Sequence, residues 1–175
     1  MEPTFHLTVL SADDIATRLD QLSDVLADCV NGGASVSFML PFQRDTARAF
    51  WQKMAHSVAQ GERVVLAAVD AADVVIGTVQ LIIDLPENQP HRGEVAKLLV
   101  HSRGRRQGIA LALMDELENI ARQGGKRLLV LDTATGSGAE QFYRHCGWQK
   151  AGVIPDFALM PDGEVCSTTL FYKSV

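Results

Sequence analysis

An α/β fold of the α+β type, a mixed sheet with helices packed on it, is predicted by three features of the sequence. Segments of period two and segments of helical period follow one another in the order β-α-α-β-β-β-α-β-α-β-β. Two consecutive β-branched runs are joined by a four-residue connection, which is typical of a hairpin. A further run, RLLVLD at residues 127–132, is apolar along most of its length, as suits an inner strand covered on both faces. No internal repeat, low-complexity tract or Pro/Ser-rich linker divides the chain, so residues 1–175 are expected to form a single domain.

Residues 5–10 alternate and are β-prone. Ser11-Ala-Asp-Asp14 then offers an N-cap hydroxyl with an acid three residues on, a variant of the capping box, and a helix is expected to start there. Ile15, Leu19, Leu22, Val25, Leu26 and Cys29 share one face until Asn31-Gly32-Gly33 ends the helix with residues that tolerate positive φ. Residues 32–41 read as a loop. A second helix is expected over 43–60, with Ala47, Phe50, Trp51, Met54 and Val58 on one face.

Runs at 63–69 and 74–83 form the predicted hairpin, turning at Asp70-Ala-Ala-Asp73. After loop composition at 85–90, residues 94–100 predict a strand. Residues 109–123 predict a helix, apolar at 109, 113, 117 and 120 and closed by Gly124-Gly125. The inner strand follows, then a short helix at 137–145 capped by Gly147. Two last strands are expected near 148–154 and 168–173.

Composition narrows the function. The chain has 175 residues, 47% hydrophobic and 21% charged, so it can bury a core without disulfide or metal staples, and disordered, collagen-like and coiled-coil readings are excluded. Sixteen Lys+Arg against 21 Asp+Glu leave a net charge of −5, which argues against a nucleic-acid partner. No apolar run approaches the roughly 20 residues of a membrane span, and MEPTFHLTVL lacks a basic region leading into an apolar signal core, so a cytoplasmic protein is expected. Cys29, Cys146 and Cys166 are odd in number and form no CxxC pair, which predicts free thiols. The five histidines have no HExxH or comparable spacing, so no metal site is expected.

The segment most informative about chemistry is residues 94–118, EVAKLLVHSRGRRQGIALALMDELE. A strand runs into a turn rich in Gly and Arg, and a helix opens near Gln107 and Gly108. The first turn of a helix has free N–H groups and the positive end of the macrodipole, so it can hold a phosphate or pyrophosphate. Arg103, Arg105 and Arg106 add three cations there, and Gly104 and Gly108 allow close backbone approach. Neither GxxxxGK[ST] nor GxGxxG occurs, which disfavours P-loop NTPases and dinucleotide dehydrogenases; GxSxG is missing too, which disfavours serine hydrolases.

At these residues the sequence resembles the GNAT superfamily of acetyl-CoA-dependent N-acetyltransferases. Residues 105–110, RRQGIA, fit its [QR]xxGx[GA] motif, and AEQFYRHCGWQKAG at 139–152 is similar to its second signature, a short helix ending in Phe-Tyr followed by Gly-aromatic. Within the superfamily the chain looks most like the tabtoxin resistance protein group, through VNGGASVSFM, EVAKLLV, LDTATGS and the PDG at 161–163. The resemblance implies a mixed, mainly antiparallel sheet and acetyl-CoA as co-substrate. The backbone N–H groups of Arg105, Arg106, Gln107, Gly108, Ile109 and Ala110 would hold its pyrophosphate. The backbone of Leu98, Leu99 and Val100 would pair with its pantetheine arm like an added strand, and a strand N–H there, of Leu99 or Val100, would meet the oxyanion.

The same resemblance maps the phenolic leaving-group acid to Tyr143 and a carboxylate base to Glu94, with Asp132 either binding the amine or sharing the base role. Residues 137–140, Ser-Gly-Ala-Glu, lack the Asn by which many relatives contact the cofactor. The implied activity is acetyl transfer to the amine of a small molecule, such as a toxin, antibiotic or amino-acid-like compound, by direct attack in a ternary complex. Two alternatives stand beside it, a protein N-terminal acetyltransferase and a non-catalytic acyl-CoA sensor. A homodimer is a family habit.

Overall fold

The computed structural model describes residues 4–175. Seven strands form one sheet in the order β1-β2-β3-β4-β5-β7-β6. They are β1 (Phe5–Leu10), β2 (Arg63–Asp70), β3 (Val75–Ile82), β4 (Arg92–Val100), β5 (Leu128–Ala134), β6 (Gln149–Leu159) and β7 (Val165–Ser174). Every neighbouring pair is antiparallel except β4 and β5. The expected order of strands and the mixed, mainly antiparallel sheet are observed, with one helix more than expected before β2.

The helices are α1 (Ala12–Thr17), α2 (Leu19–Asn31), α3 (Arg44–Ala59), α4 (Ile109–Gln123) and α5 (Gly138–His145). Ser11 caps α1 through a full capping box with Asp14. The helix expected from Ser11 to Asn31 breaks at Arg18, which leaves helical geometry with φ −98° and ψ 18°. The apolar period runs through the break, so local sequence gives no sign of it. The partner is remote: the Arg18 guanidinium donates to the Asp73 carboxylate at 2.7 Å and to its carbonyl at 3.0 Å, in the β2–β3 turn. The last two strands extend beyond their expected limits, because β6 and β7 pair as one long hairpin from Gln149↔Tyr172 to Leu159↔Val165.

Residues in register share a face of the sheet, which divides the core in two. On one face Leu66, Val79, Leu81, Val95, Leu129, Leu131 and Phe171 pack against α4 and α5. On the other Val65, Ala67, Val69 and Leu99 pack against α1, α2 and α3. Val95 and Leu99, four residues apart on one strand, lie on opposite faces because β4 carries a bulge. Its register with β3 jumps from Ala96↔Gln80 to Leu99↔Thr78, so Lys97 and Leu98 both oppose Val79. Lys97 absorbs the extra residue with φ +56°.

Gly77 sets how closely α4 approaches β3. A Cβ there would sit 3.0 Å from Ile109 Cγ2 and 3.1 Å from the Leu99 carbonyl oxygen. The Gly77→Val variant is expected to lose about 1–3 kcal/mol of stability through this overpacking, read as a lower urea midpoint at unchanged slope; a midpoint equal to wild type would refute the stated packing. Among the described residues no helix is long and apolar enough to cross a membrane.

Candidate active site

The parallel pair β4–β5 has only three partners in register, Arg92↔Leu128, Gly93↔Leu129 and Glu94↔Val130. Beyond Glu94 the two strands part, and β5 continues with β7 alone. The opening is a cleft of about 370 Å³ lined on the β4 side by Val95, Ala96, Lys97 and Leu98, and on the β5 side by Asp132, Thr133 and Ala134. Unpaired backbone along β4 therefore faces an open space inside the molecule, where an extended chain can add as a strand. Leu98 lines this space, while the Leu99 side chain is buried in the core and Val100 lies past the cleft wall, in register with Gly77.

Tyr143 and Asp132 meet the cleft from opposite faces of the sheet. Tyr143, on α5, is 8% exposed and lines the cleft from the α4–α5 face, its ring packed edgewise against Phe142 and Trp148 and tilted on Phe171. Burial pushes the phenol up to about 12 from 10.0, with the Cys146 thiol and the Asp132 carboxylate adding to the effect, so at neutral pH it is a proton donor. Asp132 is exposed and turns to the other face, where its Oδ2 accepts from the Thr168 hydroxyl at 2.7 Å. Glu94 lies in register with Val130, two residues before Asp132, and so faces the same side as that carboxylate. Its carboxylate pairs with Arg92 Nη1 at 3.1 Å, 42% exposed, and does not line the cleft.

The Gly- and Arg-rich turn lies at the far end of β4. Arg106 (φ +63°) and Gly108 (φ +75°) adopt left-handed backbone on either side of Gln107, an alternation that turns successive N–H groups into a concavity. Gly108 is the N-cap of α4 and supplies no side-chain cap, so the first N–H groups of this 15-residue helix are left to a ligand. A Cβ at Gly108 would meet nothing within 4 Å, so the cradle is open. These residues fit a pyrophosphate. The turn is tethered to α2 through Asp28, which accepts from the Ser102 backbone at 2.8 Å and its hydroxyl at 2.9 Å, while His101 Nε2 lies 3.2 Å from Asp24.

Arg103 is not free for a ligand. Its guanidinium is spent on Asp24 at 3.2 Å and the Val75 carbonyl at 2.8 Å. The Arg105 side chain turns back toward the C-terminus of α2, with Nη2 3.8 Å from a Cβ placed on Gly32.

The profile of the acetyltransferase (GNAT) family matches residues 30–148. The chain belongs to the GNAT family. It is an acyltransferase of that family. The fold recurs in solved GNAT-type structures. The ribosomal-protein-alanine N-acetyltransferase of Brucella melitensis superposes with a TM-score of 0.77 at 19% identity, covering 97% of this chain and 99% of that one. An acetyltransferase of the GNAT family from Streptococcus pneumoniae gives 0.75 at 19%, with 98% and 99% covered. The protein yncA of Salmonella typhimurium, solved with its cofactor acetyl-CoA, gives 0.75 at 16%, with 97% and 93% covered.

One residue of the site escapes a reading by motif. Lys97 lines the β4 wall of the cleft, across from Asp132. Alternation from Val95 would bury Lys97 against α4, where an unpaired ammonium is costly. That conflict was the available signal of the bulge, which turns the side chain away from the α4 core.

The raised phenol of Tyr143 gives a test with a defined sign. A group whose folded pKa lies above its unfolded one contributes stability that is lost as pH rises through the folded value. Stability is therefore expected to fall between pH 10 and about 12, and Tyr143→Phe should remove that component. Urea midpoints across this range check it; an identical alkaline decline in the variant would show that Tyr143 does not carry it.

Proposed function

We propose that this GNAT acyltransferase moves the acetyl group of acetyl-CoA to the amine of a small molecule, by direct attack in a ternary complex. The observation that carries the reading is the cleft through the sheet, with a protonated phenol on one face and the Asp132 carboxylate on the other. A thioester seated between them has its leaving sulfur toward the donor and its carbonyl toward the side where an amine can be deprotonated.

The roles follow from this placement. The backbone from Arg105 to Ala110, through Arg106, Gln107, Gly108 and Ile109, holds the pyrophosphate. The open edge of β4 at Leu98, continuing toward Leu99 and Val100, takes the pantetheine arm, and an N–H of this stretch meets the oxyanion. Tyr143 gives its proton to the departing thiolate. Asp132, in the cleft wall, holds the incoming ammonium. Glu94, on the same face but outside the wall, takes the amine's proton through water, with Arg92 orienting its carboxylate.

A small acceptor is favoured over a peptide by the cover on the acceptor side. Residues 33–37 line the cleft opposite residues 157–160 of the β6–β7 hairpin, and the Leu40 amide donates to the Pro161 carbonyl at 2.9 Å, joining the two walls. Such a cover suits a pocket and not an open groove. Catalysis is favoured over sensing because the phenol and Asp132 share one cleft. The kinship with the tabtoxin resistance group, through EVAKLLV and LDTATGS, points to a toxin, antibiotic or amino-acid-like acceptor. We place the protein in the cytoplasm, in keeping with its three free cysteines.

Two experiments test these roles. Tyr143→Phe is expected to lower kcat on the order of tenfold or more with acetyl-CoA affinity nearly unchanged; an unaltered kcat in a thiol-release assay removes Tyr143 from the reaction. Gly108→Glu is expected to weaken acetyl-CoA binding by calorimetry on the order of tenfold or more, since it sets a carboxylate at the pyrophosphate. Gly108→Ala, which carries only the left-handed strain of about 1–2 kcal/mol, should bind much better than the glutamate variant. Equal affinities in the two variants would contradict the assigned cradle.

A further inference from the structure

We propose that the acceptor amine also carries an anionic group, a carboxylate in the simplest case, and that Lys97 is the residue that selects it. The inference rests on the transferase reading above and adds the class of its acceptor.

The Lys97 ammonium stands in the wall of the cleft, 3.3 Å from the Ser37 hydroxyl and 6.0 Å from the centroid of Phe50. Arg63 faces the same side of the sheet, in register with Ile82, which is itself in register with Glu94. Among the described residues no carboxylate forms an ion pair with either cation. Arg63 donates to two neutral oxygens, Ser57 Oγ at 2.8 Å and Gln80 Oε1 at 2.8 Å. Glu62, the nearest acid in sequence, accepts from Ser57 instead, at 2.8 Å. Gln80 is fully buried, and its Nε2 has no partner.

Two half-buried cations thus raise the potential on one side of the cleft with no carboxylate in direct contact with either, although the charge of Glu62 acts on Arg63 from a distance. Burial holds the Lys97 ammonium below its ordinary value, the Arg63 guanidinium lowers it further, and Asp132 across the cleft opposes both. Removing an ion from water costs several kcal/mol when burial is full, and part of that when it is half complete. The partners present return less. A hydrogen bond to a neutral hydroxyl and a cation over an aromatic ring at the edge of its range are both weak next to that penalty.

A Leu or Met would pack on Phe50 without that penalty, so a purely structural position has no use for the charge. An anion brought by the ligand supplies the missing counter-charge. With Lys97 on one wall and Asp132 on the other, the cleft is complementary to a molecule bearing both an ammonium and an anion, as an amino acid or an amino-acid-like compound does. Arg63 does not line the cleft and strengthens the field from behind.

The test uses matched acceptors in a thiol-release assay with acetyl-CoA: α-amino acids against their α-amides, and 4-aminobutyrate against butylamine. Calorimetry of N-acetyl amino acids with the CoA-saturated protein gives a second readout. The anion-bearing member of each used pair is expected to have the higher kcat/KM, on the order of tenfold. Lys97→Met should bring that ratio near one by raising KM for the anionic acceptors, and should abolish binding of the N-acetyl amino acid. Acetyl-CoA affinity should stay unchanged, and Lys97→Arg should retain a measurable preference.

A wild type that prefers the uncharged members overturns the proposal. So does a Lys97→Met variant that lowers both members equally, or a CoA-saturated wild type that retains no N-acetyl amino acid. A protein that fails to bind acetyl-CoA at all would instead remove the transferase reading on which this rests.

Discussion

The parting of β4 from β5 is the constraint on which the rest of the site depends. A parallel pair buried in the middle of a sheet normally keeps its ladder, because unpaired N–H and C=O groups away from water are costly. Here the ladder stops after three residues, and the cost is met by letting a cleft reach both strands. The bulge at Lys97 works with the separation. It turns Leu98 and Val100 toward the α4 core and Leu99 toward the opposite core, so β4 stays anchored to both layers while its free edge remains open. A regular strand would have carried Lys97 to the α4 core in line with Val95.

The anion cradle depends on the same strand in another way. It follows β4 directly, and left-handed backbone, which Gly108 adopts freely, is conformationally costly at Arg106 for a segment with no further support. Its rigidity is borrowed from α2. Burial alone would raise the Asp28 carboxyl, yet the two Ser102 donors, with His101 and Arg105 nearby, hold it below its usual value, so the tether is anionic at neutral pH. Arg103 reaches Asp24 and the Val75 carbonyl. Much of the basic run thus serves to fix the turn, and the positive field offered to a ligand comes chiefly from oriented backbone and from Arg106, which is exposed and enters no ion pair among the described residues.

The order of elements was legible because it is written in local periodicity and in glycines that stop helices. Asn31-Gly32-Gly33, Gly124-Gly125 and Gly147 stand where α2, α4 and α5 end. The break at Arg18 was not legible, since the apolar period runs through it and the contact its side chain makes there, with Asp73, lies 55 residues away. The ends of β6 and β7 were missed for a related reason. Strand length there is set by the partner strand, and β6 is exposed along almost its whole length, so its sequence carries no strong alternation. At the site, the family resemblance pointed to Tyr143 and Asp132, which line one cleft, while the turn before α4 was legible as Gly and Arg between a strand and a helix. Lys97 was passed over, since its position follows from a one-residue slip that local sequence states only as a lysine on the wrong side of an alternating strand.

The two faces of the cleft differ in dielectric character, and that difference orders the chemistry. On the α4–α5 face the surroundings are aromatic and aliphatic, which keeps the Tyr143 phenol protonated far above neutral pH and ready to donate. On the other face stand Asp132, Glu94, Lys97 and Arg63, charges of both signs. A single pocket combining these groups would let the carboxylates compete for the phenol's hydrogen and let the cations pull its pKa down. In the proposed reaction, passing the reacting bond through the gap between two strands keeps the acid and the base apart while leaving both within reach of one small group.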